Sequence, residues 1–272
     1  MSSPWIFISP SSRGIGHALT RHLLRTTSLP ILASTRNSDP ASTKSSLLKD
    51  LPQAEDIAPR LSIVQLDVTD ESSVAAAADR ARELFPSKTH HLRLACAIPG
   101  MLFPEKNPKQ INMEKALQTF QVNTLGPLVL MKHFAEMLPK QSVELEPSPK
   151  DDQLQLSDSH ALWLNMAARV GSTSDNRAGG WYSYRASKAG VISLSKSLDR
   201  YLAARNGEKA LAMAYHPGTV KTGLSKDFWD SVEGGKLFSP EDAAAKMASV
   251  MTGLKVDQRG KCWDWKNEEV LP

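Results

Sequence analysis

The chain has little cysteine, no long apolar run and no block of like charge, and each absence removes a class of function. Its 272 residues hold two cysteines, Cys96 and Cys262, far apart in sequence. Met1-Ser-Ser-Pro-Trp-Ile-Phe-Ile-Ser does not read as a secretory signal, so both are expected as buried thiols in a reduced compartment rather than as a disulfide. No apolar stretch approaches the roughly 20 residues that a membrane-spanning helix needs. Seven histidines include no i, i+4 pair and none beside a cysteine at ligand spacing, so no metal is expected. The net charge of +4 comes from lysines and arginines scattered among acids, without a basic run or interleaved aromatics, so nucleic acid is not an expected partner. The expectation is a soluble, cytoplasmic protein forming one domain over 1–272, with an ordinary apolar fraction.

What is present begins with a strand, Trp5–Ile8, running into Ser9-Pro-Ser-Ser-Arg-Gly14-Ile15-Gly16 and then a helix from His17 to about Arg25. Glycines at the mouth of a helix let the backbone approach a pyrophosphate, whose charge meets the free amides and dipole of the helix start. Pro30–Ser34 is the next strand. No acid stands at its end to take a ribose 2'-hydroxyl; Thr35 and Arg36 do. Arg36 with Arg13 could clamp a 2'-phosphate, which points to NADPH over NADH; the alternative is two solvated surface arginines.

Further along, a short helix near Ser42–Leu51 precedes a strand Leu61–Leu66 that ends in Asp67-Val68-Thr69-Asp70. Thr69 is a plausible N-cap for a helix burying Val74, Ala77, Ala78, Ala81 and Leu84. A fourth strand, Leu92–Ala97, runs into the turn Ile98-Pro-Gly100. Asn112–Leu138 is helical, with Asn123 just before a Gly126-Pro127 pair where a kink is expected. The polar segment 139–159 reads as a surface insertion. Strands His160–Asn165, Ala210–Tyr215 and Lys261–Trp265, and a helix Pro240–Met251, complete the pattern. Alternating strands and helices imply a single doubly wound parallel sheet, a Rossmann-type α/β fold with helices on both faces.

Residues 181–206 contain no proline, and Val191, Leu194, Leu198 and Leu202 form one apolar helix face. Tyr184 and Lys188, four apart, share a face. An ammonium about 4 Å from a phenol, at an effective dielectric near 20, attracts the phenolate by roughly 4 kcal/mol, or about three pKa units. That would bring Tyr184 toward neutral pH as an acid and base. The bland reading is a tyrosine at the core edge and a solvated lysine.

These residues, in this order, resemble the short-chain dehydrogenase/reductase family over nearly the whole chain. Gly14-Ile15-Gly16 is similar to its glycine loop, Asp67-Val68 to its adenine contact, Asn123 to its catalytic asparagine, and Tyr184 with Lys188 to its catalytic pair. Pro217-Gly218 with Val220 and Thr222 resembles its nicotinamide-side turn. The tail Gly260–Trp265 is similar to that of C-factor-like and Sniffer-like carbonyl reductases. The resemblance implies NADP(H) held also by Ser11 and Gly100, hydride transfer to an aldehyde or ketone, and a homo-dimer or homo-tetramer as compatible assemblies. Tyr184 would be the acid, Lys188 would tune it and hold the ribose, and Asn123 would anchor a water. Met101, Leu102, Phe103, Trp181, Leu224, Phe228 and Trp229 would make the pocket apolar, with 223–238 as a substrate loop.

The chain also departs from the family pattern. Pro10 stands for the first loop glycine, and Ala97-Ile-Pro-Gly100 for the usual Asn-Asn-Ala-Gly. In Asn165-Met-Ala-Ala-Arg-Val-Gly171 both motif serines are Ala167 and Ala168, so the hydroxyl that orients a carbonyl is missing. Ser172 lies near the usual distance before Tyr184 and is the alternative source. The missing serine keeps two other readings open: non-redox chemistry such as cyclisation or isomerisation, and cofactor binding without turnover.

Overall fold

Alternation within the first strand sets the layers. In the computed structural model, which describes residues 2–232 and 234–272, Ile6 and Ile8 face one core while Trp5 and Phe7 face the other. The strands are β1 (Ser3–Ser9), β2 (Ile31–Thr35), β3 (Leu61–Gln65), β4 (His90–Ala97), β5 (Ala161–Met166) and β6 (Ala210–His216). They continue as β7 (Thr219–Val220), β8 (Leu237–Phe238), β9 (Cys262–Asp264) and β10 (Glu269–Val270). The helices are α1 (Gly14–Thr26), α2 (Pro40–Leu48), α3 (Ala54–Ile57), α4 (Glu71–Leu84), α5 (Met113–Phe120), α6 (Gly126–Phe134), α7 (Tyr182–Asn206) and α8 (Pro240–Gly253).

The main sheet runs β10-β9-β6-β5-β4-β1-β2-β3, parallel except for the β9–β10 pair, and β7 with β8 forms a small parallel sheet. This is the doubly wound sheet that the alternation implies. From β1 the chain moves outward to β2 and β3, then returns to place β4 on the other side of β1. The loops leaving β1 and β4 therefore diverge, and the crevice at their carboxyl ends is where such sheets bind ligands.

One face is covered by α1 and α8, whose Leu19, Leu23, Met247 and Met251 pack with Ile6, Leu94, Leu164 and Met213. The opposite face is covered by α4, α6 and α7, through Val74, Ala77, Phe134, Leu198 and Leu202. Phe7 stacks on Phe134 at 4.2 Å between centroids. Each fully buried leucine or phenylalanine of these rows contributes about 1.5–3 kcal/mol, enough to fix strand register, since a slip by one residue exchanges the two cores.

Two local expectations are corrected, and two features are added. Asp70, not Thr69, caps α4, its carboxylate accepting from Ser72 N at 2.9 Å, while Thr69 turns back to Asp67. The stretch around Asn123 is not a proline kink: Gln121–Leu125 forms one π-turn joining α5 to α6. A final antiparallel strand, β10, was not foreseen, because two residues give no period to read. Segment 139–159 lies at the amino-terminal edge of the sheet, where Leu154 N bonds Thr26 O at 2.9 Å and Arg93 donates to Ser157 O. None of its residues lines the cleft described next.

Candidate active site

A cavity of about 830 Å³ opens at the carboxyl ends of β1, β4, β5 and β6. Its first wall is the turn from β1 into α1. Gly14 has φ +58°, and a Cβ on Gly16 would sit 1.9 Å from Pro10 O, so that position admits no side chain. Ser11 spends its hydroxyl inside the turn, donating to Ile8 O and accepting from Thr20, rather than offering it to the cleft. Helix α1 has no side-chain N-cap and no acid in its first turn, so its first amides and dipole remain available to an anion. Arg13, Gly14, Ile15 and Gly16 all line the cavity. A glycine turn this tight, facing uncapped amides, suits a dinucleotide pyrophosphate.

The ends of β2 and β3 lie outside the residues that line this cavity. There Arg36 Nη1 is 4.0 Å from Asp67 Oδ2, both side chains being substantially exposed. Such a pair contributes little. It does place a carboxylate beside Arg36, which the reading of the strand end alone had missed. Asp67 Oδ1 is engaged by Thr69, and Val68 packs against Gly126, where a Cβ would approach within 2.9 Å.

The opposite wall is the start of α7. Trp181, with φ +48°, precedes the helix, and no side chain of its own caps it. The cap comes from far away in sequence. Glu105, buried in the loop after β4, accepts Ser183 N at 2.7 Å and Ser183 Oγ at 2.6 Å, and its backbone carbonyl accepts Trp181 N at 2.6 Å. A lone glutamate in a polar loop gave no sequence signal of this.

Tyr184 and Lys188 follow on that anchored turn and both line the cleft. Lys188 is only 1% exposed; its Nζ donates to Met166 O at 2.7 Å and lies 5.9 Å from the Tyr184 ring centre. Burial pushes the Tyr184 phenol above its ordinary value and pulls the Lys188 ammonium down to about 7. The expected lowering of the phenol is thus absent. The ammonium faces a backbone carbonyl at the end of β5, and desolvation of the phenolate dominates.

Asn123, fully buried in the π-turn, does not line the cleft but shapes it. Its Oδ1 accepts Met101 N at 2.8 Å, and its Nδ2 donates to Met101 O at 2.9 Å and Ser187 Oγ at 3.0 Å. Both amide donors are used, tying the loop after β4 to α7. Short π segments occur often at functional sites, where they re-aim side chains.

Ala167 and Ala168 line the cleft where the motif serines would stand, and Ser172 does not. Ser172 is buried, its Oγ accepting Asp175 N at 3.0 Å to close a turn. Gly171 sits against α7 so closely that a Cβ would meet the Lys188 carbonyl carbon at 2.6 Å, which holds the motif register. Gly100, Pro217, Gly218, Val220 and Thr222 line the cleft, as do the expected apolar residues Met101, Leu102, Phe103, Trp181, Leu224 and Phe228. Trp229 does not; its indole donates to Ser225 Oγ at 2.9 Å. Trp181 and Phe228 meet across the mouth, 4.8 Å between ring centres.

A family model described as short chain dehydrogenase matches residues 4–143, about half of the chain, ending before Tyr184. Over 196 residues the chain is 28% identical to the 1-hydroxy-2-glutathionyl-2-methyl-3-butene dehydrogenase of Rhodococcus sp. (strain AD45), covering 72% of this chain and 74% of that one. Among solved structures, the carbonyl reductase Sniffer of D. melanogaster superposes with a TM-score of 0.79 at 21% identity, covering 100% of both chains. The NADPH-bound carbonyl reductase from chicken fatty liver gives 0.78 at 24% identity, with the same full coverage. At these identities the structural likeness speaks to the fold.

Proposed function

We propose, from the premise that this chain belongs to the short-chain dehydrogenase/reductase family, that it is an NADPH-dependent reductase of apolar or aromatic aldehydes and ketones. The observation that carries the reading is the juxtaposition in one cleft of a buried Tyr184 and Lys188 with a glycine turn backed by uncapped helix amides. The chicken reductase of the same fold holds NADPH, which supports the choice of cofactor. The 2'-phosphate would be met by Arg13 and by Arg36, which exchanges its distant Asp67 for a dianion. The whole chain acts as one dinucleotide-binding unit working in the cytoplasm, with 223–238 as its substrate loop.

When bound, NADPH supplies the hydride. Every other part of the step belongs to the chain. Gly14 to Gly16 and the α1 amides would hold the pyrophosphate, and Pro217 to Thr222 would stand by the nicotinamide. Tyr184 keeps its proton at neutral pH because burial disfavours the phenolate, and so stands ready to give it to the carbonyl oxygen as negative charge develops there. Lys188, its ammonium pulled down to about 7 by burial, carries charge at and below neutrality, where it offsets the phenolate left behind. Met101, Phe103, Trp181 and Phe228 exclude water from the reacting centre.

The test is loss of reduced-nicotinamide absorbance with a panel of aldehydes and ketones, for the parent protein and for Tyr184→Phe. Turnover that Tyr184→Phe abolishes, with NADPH affinity kept, supports the assignment. Turnover unchanged in Tyr184→Phe refutes the acid. NADPH binding with no reduction of any carbonyl would favour the non-redox reading.

A further inference from the structure

With both motif serines replaced, reduction by this cleft still needs a donor that orients the carbonyl oxygen beside Tyr184. Most polar side chains that line the cavity have other work. Lys188 donates to Met166 O, Ser225 is bonded to Val220 O and Trp229 Nε1, and Arg13 and Thr222 flank the glycine turn. Ser172 is outside the cavity and closes a turn. His216, at the end of β6, and Lys221 remain, and Lys221 is exposed and lies beyond the Gly218 turn, tied to β8 by its backbone.

Register places His216. Met166 pairs with Tyr215, and Ala167 N donates to Tyr215 O at 2.8 Å, so His216 is the next residue level with Ala167. Ala214, two residues earlier on β6, packs with Ala167 and with Val191 of α7. Side chains two apart share a face, so His216 projects on the α7 side, the side of Ala167. His216 lines both the cleft and an adjoining cavity of about 390 Å³ with Arg169, Asp264 and Trp265. Thr219 also lines both, but it lies beyond the Gly218 turn, in the separate β7–β8 sheet.

We infer that His216 takes the place of the absent serine, donating a hydrogen bond from Nε2–H to the substrate carbonyl oxygen. The inference rests on the reductase reading above. His216 Nδ1 is buried without a partner. An orphaned buried N–H is rarer and costlier than an orphaned acceptor, so the proton is assigned to Nε2. Burial holds the ring's pKa down at about 4, with Arg169 lowering it and Asp264 and Asp175 raising it, so the ring is neutral in the working range and keeps this one N–H. In the step itself the hydride goes to the carbonyl carbon and the Tyr184 proton to the oxygen. His216 keeps its proton throughout.

Removing one such donor costs about 10²- to 10³-fold in rate. With para-nitrobenzaldehyde as probe, His216→Asn should lower kcat about a hundredfold while NADPH affinity is unchanged. His216→Gln, whose amide reaches the Nε2 position, should stay within about tenfold of the parent, because it preserves the donor. Adding Ala168→Ser to His216→Asn should recover at least part of the loss, which a merely structural histidine would not allow. Equal effects of Asn and Gln, no rescue, or a loss that moves to Thr219→Val instead would overturn the inference. Nitrogen NMR gives a reading independent of turnover: the His216 ring should be the Nε2–H tautomer, and its signal should shift when the aldehyde is added to the complex with oxidised cofactor. A Nδ1–H tautomer or an unmoved signal overturns the inference. Failure of the reductase reading looks different, since Tyr184→Phe would then leave turnover untouched or the parent would show none, and the NMR result would still decide the role of His216.

Discussion

Replacing Lys188 by methionine should stabilise the fold at low pH and do so less as pH rises. The ammonium titrates at an ordinary 10.5 when unfolded and at about 7 when buried in the cleft. Because the folded value is the lower one, the unfolded chain binds more protons between these two pH values, and stability rises with pH across that window. Below about pH 7 the group is charged in both states, and the folded chain carries the whole desolvation penalty, roughly 5 kcal/mol from the size of the shift. Above the unfolded value the penalty is gone. Between about pH 6 and about pH 9 the Lys188 contribution therefore changes by about 3 kcal/mol. Methionine keeps most of the stem and removes the charge, but it leaves Met166 O without its donor at a cost of about 1–3 kcal/mol. That cost does not depend on pH, so it cancels when the two conditions are compared. Urea unfolding of parent and variant at both pH values measures the quantity directly. The variant's advantage should shrink by about 3 kcal/mol on going to the higher pH. An advantage that is constant, or that grows with pH, would show that Lys188 is not held charged against its environment.

Ser172→Ala should change kcat less than tenfold, since its hydroxyl serves Asp175 N, while Ala168→Ser should raise reduction of a simple aldehyde by less than the roughly 3 kcal/mol of a full donor. Steady-state kinetics decide both, and a hundredfold loss in Ser172→Ala would refute the register. Gly16→Ala puts a methyl 1.9 Å from Pro10 O, so the turn must shift; NADPH binding by fluorescence titration should weaken at least about tenfold, one such step being about 1.4 kcal/mol. Arg36→Asp should erase the preference for NADPH over NADH, because it sets a second carboxylate beside Asp67; equal affinities in the parent would refute the clamp.

Patterns repeated over several residues were legible in the sequence. The succession of apolar strands and helices, and the spacing of Val191, Leu198 and Leu202, indicated the sheet and helix α7, while Leu194 of the same expected face is only partly buried. What escaped depends on partners distant in the chain. Asp70 and Thr69 are neighbouring cap formers, and only the path of the chain decides which reaches Ser72 N. Glu105 looks like any loop acid until the fold brings it to Ser183, 78 positions away. The Tyr184 shift went astray because spacing reports that Lys188 is near but not where its ammonium points, nor how little water reaches the phenol. Likewise β10 is a strand only because Lys261–Trp265 lies beside it.

The loop after β4 is pegged to α7 through Asn123 on both backbone groups of Met101 and through Glu105 on Ser183 and Trp181. Moving that wall outward would break five hydrogen bonds, two of them to a buried carboxylate, whereas the facing wall meets it through the Trp181 and Phe228 rings. The two walls are therefore held by different means. On the reductase reading proposed above, substitutions at Leu224 and Phe228 would reshape the wall past which product leaves, while those at Glu105 would govern whether Tyr184 and Lys188 are assembled when the next substrate arrives.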